Sequence, residues 1–209
     1  MDQEIEMKSI IKSVFVGLCA TALLLALSNS AQAQVASGSG ELAVNGGWNN
    51  NLGTINSDGT VNKNAYSFGA SAGYNLSENI AVLGEYQYVP EGSYEGVTVK
   101  TQFYGGTIRY AYGNSKFSPY ILVSGGGVGT TASEQGESVS VNGSYIAFGG
   151  GVSIFLGKNW GIRPEFRYND LFSTSGGTTT TQGVPQITGG LFFQFGGEQS
   201  SKKKASSGN

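Results

Sequence analysis

Ile187-Thr188-Gly189-Gly190-Leu191-Phe192-Phe193-Gln194-Phe195 alternates bulky apolar residues with small or polar ones. Successive side chains of a strand point to opposite faces, so a period of two marks a strand with two different surroundings. The same pattern recurs upstream. Trp160–Asn169 sets Trp160, Ile162, Pro164, Phe166 and Tyr168 against Gly161, Arg163, Glu165, Arg167 and Asn169. The tight turn Gly157-Lys158-Asn159 separates it from Ser144–Leu156, whose apolar face is Ile146, Phe148, Gly150, Val152, Ile154 and Leu156.

Five more segments read the same way. Glu41–Asn49 places Leu42, Val44, Gly46 and Trp48 opposite Glu41, Ala43, Asn45 and Gly47. Ala65–Leu76 opposes Tyr66, Phe68, Ala70, Ala72, Tyr74 and Leu76 to a Ser/Gly/Asn face. Ile80–Val89 carries Ile80, Val82, Gly84, Tyr86 and Tyr88 on one side, and Pro90 is expected to end it, since proline cannot donate to a ladder. Val99–Tyr112 opposes Tyr104, Gly106, Ile108, Tyr110 and Tyr112 to Phe103, Gly105, Thr107, Arg109 and Ala111. Phe117–Thr130 contains Gly125-Gly126-Gly127, which gives no face preference, and Pro119 calls for an irregular start.

Three connections are short (Ser77–Asn79, Gly113–Lys116, Gly157–Asn159) and four are long and polar, among them Thr131–Gly143. Short turns on one side, long loops on the other and strands near the ~9–11 residues that cross a bilayer predict an all-β, eight-stranded antiparallel up-and-down transmembrane β-barrel over residues 34–196. An even strand count puts both termini on one side, expected to be the periplasm. The tail 197–209, with Lys202-Lys203-Lys204, is expected to be disordered there.

Composition fits one exported domain. Of 209 residues only 12% are charged and the net charge is −2, which gives no basic surface for a nucleic acid. Residues 1–33 read as a signal peptide: Lys8 and Lys12 flank a basic start, Val14–Leu27 is apolar, and Ala31-Gln32-Ala33 is a small-x-small cleavage site. Asp2–Glu6 is acidic, which makes Met7 an alternative start. Cys19 follows Leu18, not the small residue that a lipoprotein signal needs, and is the only cysteine. There is no histidine, so the commonest general base and transition-metal ligand are missing. No cofactor or metal site is expected; Asn56 and Asp58 suit a solvated turn better than a weak calcium site.

Polarity assigns the faces. An eight-stranded barrel has an interior just wide enough for side chains, so the Gly/Ser/Thr face belongs inside and the aromatic face outside, which is stable only in lipid. Trp48, Tyr66, Tyr74, Tyr88, Tyr104, Tyr112 and Trp160 lie near strand ends, at headgroup level. With Asn79–Tyr86, Trp160–Tyr168 and Leu191–Phe195, the chain resembles the outer-membrane β-barrel proteins of diderm bacteria, the small eight-stranded porin-like or surface-antigen family that includes the OmpA transmembrane domain and OmpX. That resemblance implies a monomer in outer-membrane lipid, delivered by periplasmic chaperones and inserted by the barrel assembly machinery. It also implies that Leu191, Phe193 and Phe195 act as the assembly signal, although the family motif usually stands at the extreme carboxyl terminus and here the chain continues past Phe195.

The inward face holds Glu85, Arg109, Arg163, Glu165 and Arg167. Counted along their strands, all lie at similar depth and are expected to share one layer. Such charges escape lipid and neutralise one another. They would form a structural plug, or alternatively line a narrow, low-conductance pore. The outer loops, with Asp58, Glu91, Glu95, Glu134, Glu137 and Asp170, are expected to be solvated or to serve surface recognition. A lipid-modifying enzyme is the third alternative, and scattered Ser and Glu without a base give it little support.

Overall fold

In a computed structural model, residues 35–55, 61–94, 97–112, 116–134, 137–175 and 178–198 are described. The expected signal peptide with Cys19, the stretch with Asn56 and Asp58, Glu95 and the lysines of the tail lie outside them. The described chain has no helix and forms eight strands: β1 Ser37–Ile55, β2 Val61–Asn75, β3 Ile80–Tyr94, β4 Val97–Ala111, β5 Phe117–Glu134, β6 Glu137–Phe155, β7 Trp160–Ser175 and β8 Thr178–Glu198. Each pairs antiparallel with its neighbours in chain order, and β1 with β8 closes the barrel.

The short turns gather at one end of the barrel, here the turn end. Two of them use the same device. The Ser77 hydroxyl accepts the Asn79 and Ile80 N–H groups at 3.2 and 3.0 Å, so the turn is held by its own first residue. Asn79 then clamps the next strand: its Nδ2 donates to the Ala111 carbonyl at 2.8 Å, and the Ala111 N–H donates back to the Asn79 carbonyl at 2.7 Å. Asn159 repeats the clamp on Gln194, at 3.1 and 2.6 Å.

At the opposite, hairpin end the strands run well beyond the expected limits. The polar stretch 131–143, read from sequence as a loop, is strand on both sides of 135–136. Its alternation is confined to Val139 and Val141 and lacks aromatics, because it stands clear of the aromatic belt, yet Thr, Ser and Val suit a strand. Pro90 does not end β3, which continues to Tyr94 through a bulge between Pro90 and Gly92, the latter at φ 105°. The β2–β3 ladder stops at Phe68↔Tyr88. Among the described residues, therefore, only β4 pairs with β3 at Pro90, and a proline is tolerated at such an edge. Asn51, at φ 68°, sits in the matching irregularity of β1.

The faces follow the alternation. Leu42, Tyr66, Phe68, Tyr104, Ile108, Phe166, Leu191 and Phe193 are exposed on the outer surface. Strand β5, ambiguous in sequence, buries Ser118, Tyr120, Leu122 and Ser124 inside and exposes Ile121 and Val123.

Candidate functional site: a charge-balanced lumen

Six ionised side chains fill the middle of the lumen in two groups. In the first, Glu41 of β1 is fully buried. Arg109 forks onto it, Nη1 to Oε1 at 2.9 Å and Nη2 to Oε2 at 2.7 Å. Arg163 Nη1 donates to Oε1 at 2.7 Å and Gln194 Nε2 to Oε2 at 3.2 Å. One carboxylate thus faces two guanidinium groups. In the second group the ratio reverses. Arg167 Nη1 donates to both oxygens of Glu85 at 2.7 and 2.8 Å, and its Nε donates to Glu165. Two carboxylates flank one guanidinium, so the six residues together are neutral. Buried charges need such pairing and further hydrogen bonds to offset their lost hydration.

Two tyrosines tie the groups into the wall. The Tyr120 hydroxyl donates to Glu165 Oε2 at 2.6 Å, while its ring faces the Arg109 and Arg163 guanidinium carbons at 5.5 and 5.8 Å. Tyr120 therefore touches both groups. The Tyr145 hydroxyl donates to Glu85 Oε1 at 3.1 Å. Both rings need inward-facing glycines: a Cβ on Gly151 would lie 2.6 Å from the Tyr120 hydroxyl, and one on Gly105 would lie 2.7 Å from that of Tyr145.

Apolar side chains close each end. Towards the turn end Phe155 and Phe192 meet edge to face at 5.0 Å beside Val35, and Arg163 lies 4.5 Å over the Phe192 ring. Towards the hairpin end Gln186 Nε2 bridges Asn49 Oδ1 and Gln87 Oε1 at 2.7 and 2.8 Å, with Leu52, Val89, Phe103, Val128 and Val184 clustered there. Two small cavities lie between them, of about 30 Å³ beside Arg109 and Arg163 and about 20 Å³ beside Gln87 and Tyr145. Each is about the space one or two waters need.

The five sequence-predicted lumen residues are all inside, but not in one layer. Glu85, Glu165 and Arg167 meet, whereas Arg109 and Arg163 gather on Glu41. Glu41 was legible as an inward residue of its strand, yet depth counted along single strands hid its partners. Leu191, Phe193 and Phe195 lie on the outer surface of β8, opposite Val44, Leu42 and Gly40 at the closing seam. Glu91, expected in a solvated loop, is buried above the closed barrel; burial raises its carboxyl pKa, partly offset by a Thr101 hydrogen bond. Among the described residues no group of three His, Cys, Asp or Glu could hold a metal ion.

The family model described as the outer membrane protein beta-barrel domain matches residues 20–195. Neisserial surface protein A is similar in structure, with a TM-score of 0.61 and 16% identity, covering 76% of this chain and 100% of that one. The amino-terminal β-barrel domain of Pseudomonas aeruginosa OprF follows at a TM-score of 0.52 and 13% identity, covering 77% and 99%. At these identities the likeness is one of fold. No curated protein matches by sequence.

Proposed function

Because the chain belongs to the outer membrane protein beta-barrel domain family, we propose that it is a monomeric outer-membrane barrel with a closed lumen, serving a structural and surface-interaction role and no catalysis. The neutral six-residue network with its apolar ends carries this reading: neither residual cavity approaches the width of a hydrated ion path. The turn end and both termini face the periplasm, and the hairpin end faces out, as short turns and long hairpins do in such barrels. The outward Leu191, Phe193 and Phe195 offer the assembly machinery an apolar stripe beside the β1–β8 seam, and periplasmic chaperones shield the aromatic surface before lipid does.

Planar-bilayer recording tests the closed lumen. Purified protein is expected to give no reproducible discrete channels, and Glu85→Ala is expected to lower barrel stability without adding conductance. Discrete openings in the parent protein, or a clear conductance gain in the variant, would replace the plug with a small pore.

A further inference from the structure

The outer wall of the barrel is not evenly covered. Three outward positions on β2 and β3, Ala70, Ala72 and Gly84, carry little or no side chain. Ala72 and Gly84 are neighbours in register, and Gly106 of β4 continues the row. Larger side chains stand on either side. Leu42 of β1 and Phe193 of β8 form one flank, and Tyr86 of β3 and Tyr104 of β4 the other, each about half exposed. Trp160, which begins β7 beside a short turn, also lines the recess. The open recess so bounded holds about 960 Å³.

No contact within the barrel requires the glycines of this floor. Elsewhere on the outer wall a glycine lies under one of the protein's own rings. A Cβ on Gly40 would come within 2.4 Å of the Phe195 ring, and one on Gly127 within 2.5 Å of Tyr104. At Gly84, chain neighbours aside, a Cβ would meet only the Ala72 carbonyl oxygen, at 3.8 Å, and at Gly106 only that of Leu83, at 3.7 Å. These are ordinary contacts, so a leucine would fit at either place without moving the wall. The missing side chains leave room outside the barrel, not inside it.

The depth of the recess matches one leaflet. Tyr104 lies seven residues from Ala111, the turn-end limit of β4. At ~3.4 Å per residue and a tilt of ~40°, seven residues span roughly 18 Å of the membrane normal. One leaflet contributes about 15 Å of hydrocarbon. The recess therefore runs from near the headgroups at Trp160 to about the midplane. Lipid tails are as apolar as the wall, so contact rather than water release drives occupancy, and an unfilled floor forfeits dispersion contacts. A flexible chain can lie along that floor. A second barrel cannot, because two convex walls meet along a narrow line. They would touch the flanking rings first, far short of the roughly 800 Å² per partner of a stable pair.

We propose that this recess seats one acyl chain of a phospholipid in the turn-side leaflet, as a discrete site unlike the passing lipid contacts of the rest of the wall. It rests on the lipid-facing reading of the outer wall, which a separate measurement checks.

The chain has two tryptophans, and Trp48→Phe leaves Trp160, at the recess, as the single indole. Quenching of its fluorescence by phosphatidylcholine brominated along one acyl chain is followed in dodecyl maltoside micelles. Saturation near one lipid per barrel is expected. Gly84→Leu fills the floor and should weaken half-saturation at least about tenfold. Gly189 is an outward glycine outside the recess, where a Cβ would meet nothing within 4 Å, and Gly189→Leu should leave half-saturation unchanged. Both variants should keep the heat-modifiable gel shift of the folded barrel. Quenching that rises without saturation, or that the two leucines weaken equally, would leave only bulk lipid contact and overturn the site. Sedimentation in the same micelles detects the other occupant. A dimer that Gly84→Leu converts to a monomer would assign the recess to a second copy and overturn the lipid site in its favour. The wall itself is checked in vesicles made wholly of the brominated lipid. Without quenching of Trp160 there, the lipid-facing reading fails and this site with it; with quenching there but no saturation in micelles, the site alone fails.

Discussion

Arg109 reaches across the lumen from β4 to fork onto Glu41 of β1, with bonds of 2.9 and 2.7 Å. Among the described residues Glu41 is the one carboxylate that ion-pairs with both Arg109 and Arg163, so its loss leaves both without their direct partner. Glu41→Ala is expected to destabilise the barrel by about 3–5 kcal/mol, the cost of breaking a buried pair. Urea titration of the protein refolded in vesicles, read by gel mobility, measures this. A loss below about 1 kcal/mol would mean that water reaches the cluster and screens it as it does a surface pair.

Tyr120 contributes in two separable ways. Tyr120→Phe keeps the ring near Arg109 and Arg163 but removes the 2.6 Å bond to Glu165. A hydrogen bond to a charged group contributes roughly 1.5–3 kcal/mol, and that loss is expected. Tyr120→Leu also removes the cation–ring contact and should cost roughly 0.5–2 kcal/mol more. If Tyr120→Phe and Tyr120→Leu unfold at the same urea concentration, the ring contact contributes nothing.

These predictions concern the part of the molecule that sequence reading located least well. Outward and inward faces were legible wherever lipid-facing aromatics alternate with small residues, as in Tyr104, Ile108 and Tyr110 against Gly105, Thr107 and Arg109. Pairing across the lumen was not, because closure tilts and staggers the strands. Equal counts along two strands then fail to mark equal depth, so Glu85 and Arg109 were expected in one layer, whereas Arg109 meets Glu41 and Glu85 meets Arg167. The hairpins were obscured for another reason. Beyond the belt the side chains on both faces of Ser138–Asn142 are exposed, and its short Ser/Val alternation lacks the aromatics that mark the other strands, although the ladder persists.

The two asparagine clamps give a prediction at the turn end. Asn79 and Asn159 hold different strands and share no partner. Each Asn→Ala change should cost about 0.5–1.5 kcal/mol, and the two should add in the double variant. Glu78→Ala and Lys158→Ala, at the neighbouring turn positions, should lie within about 0.5 kcal/mol of the parent. Equal losses at all four sites would show that the turns depend on something other than these side-chain bonds.

Membrane contact itself predicts a gradient along β4. Ile108 of β4 and Tyr112, the residue just past its end, are both about half exposed, at 54% each. Tyr112 is next to the turn, where an aromatic ring meets headgroups; Ile108 lies four residues further in, by roughly 13 Å. A cation introduced near the bilayer midplane of a barrel costs about 2–4 kcal/mol, against about 0–1 near the interface. Ile108→Arg is therefore expected to destabilise the folded barrel by several times as much as Tyr112→Arg in vesicle unfolding. The sign of the effect is informative, because on a water-exposed wall replacing an isoleucine by arginine would be nearly neutral at both positions. Equal, small losses at Ile108 and Tyr112 would place this wall in water and remove the reason for its aromatic face to point outward.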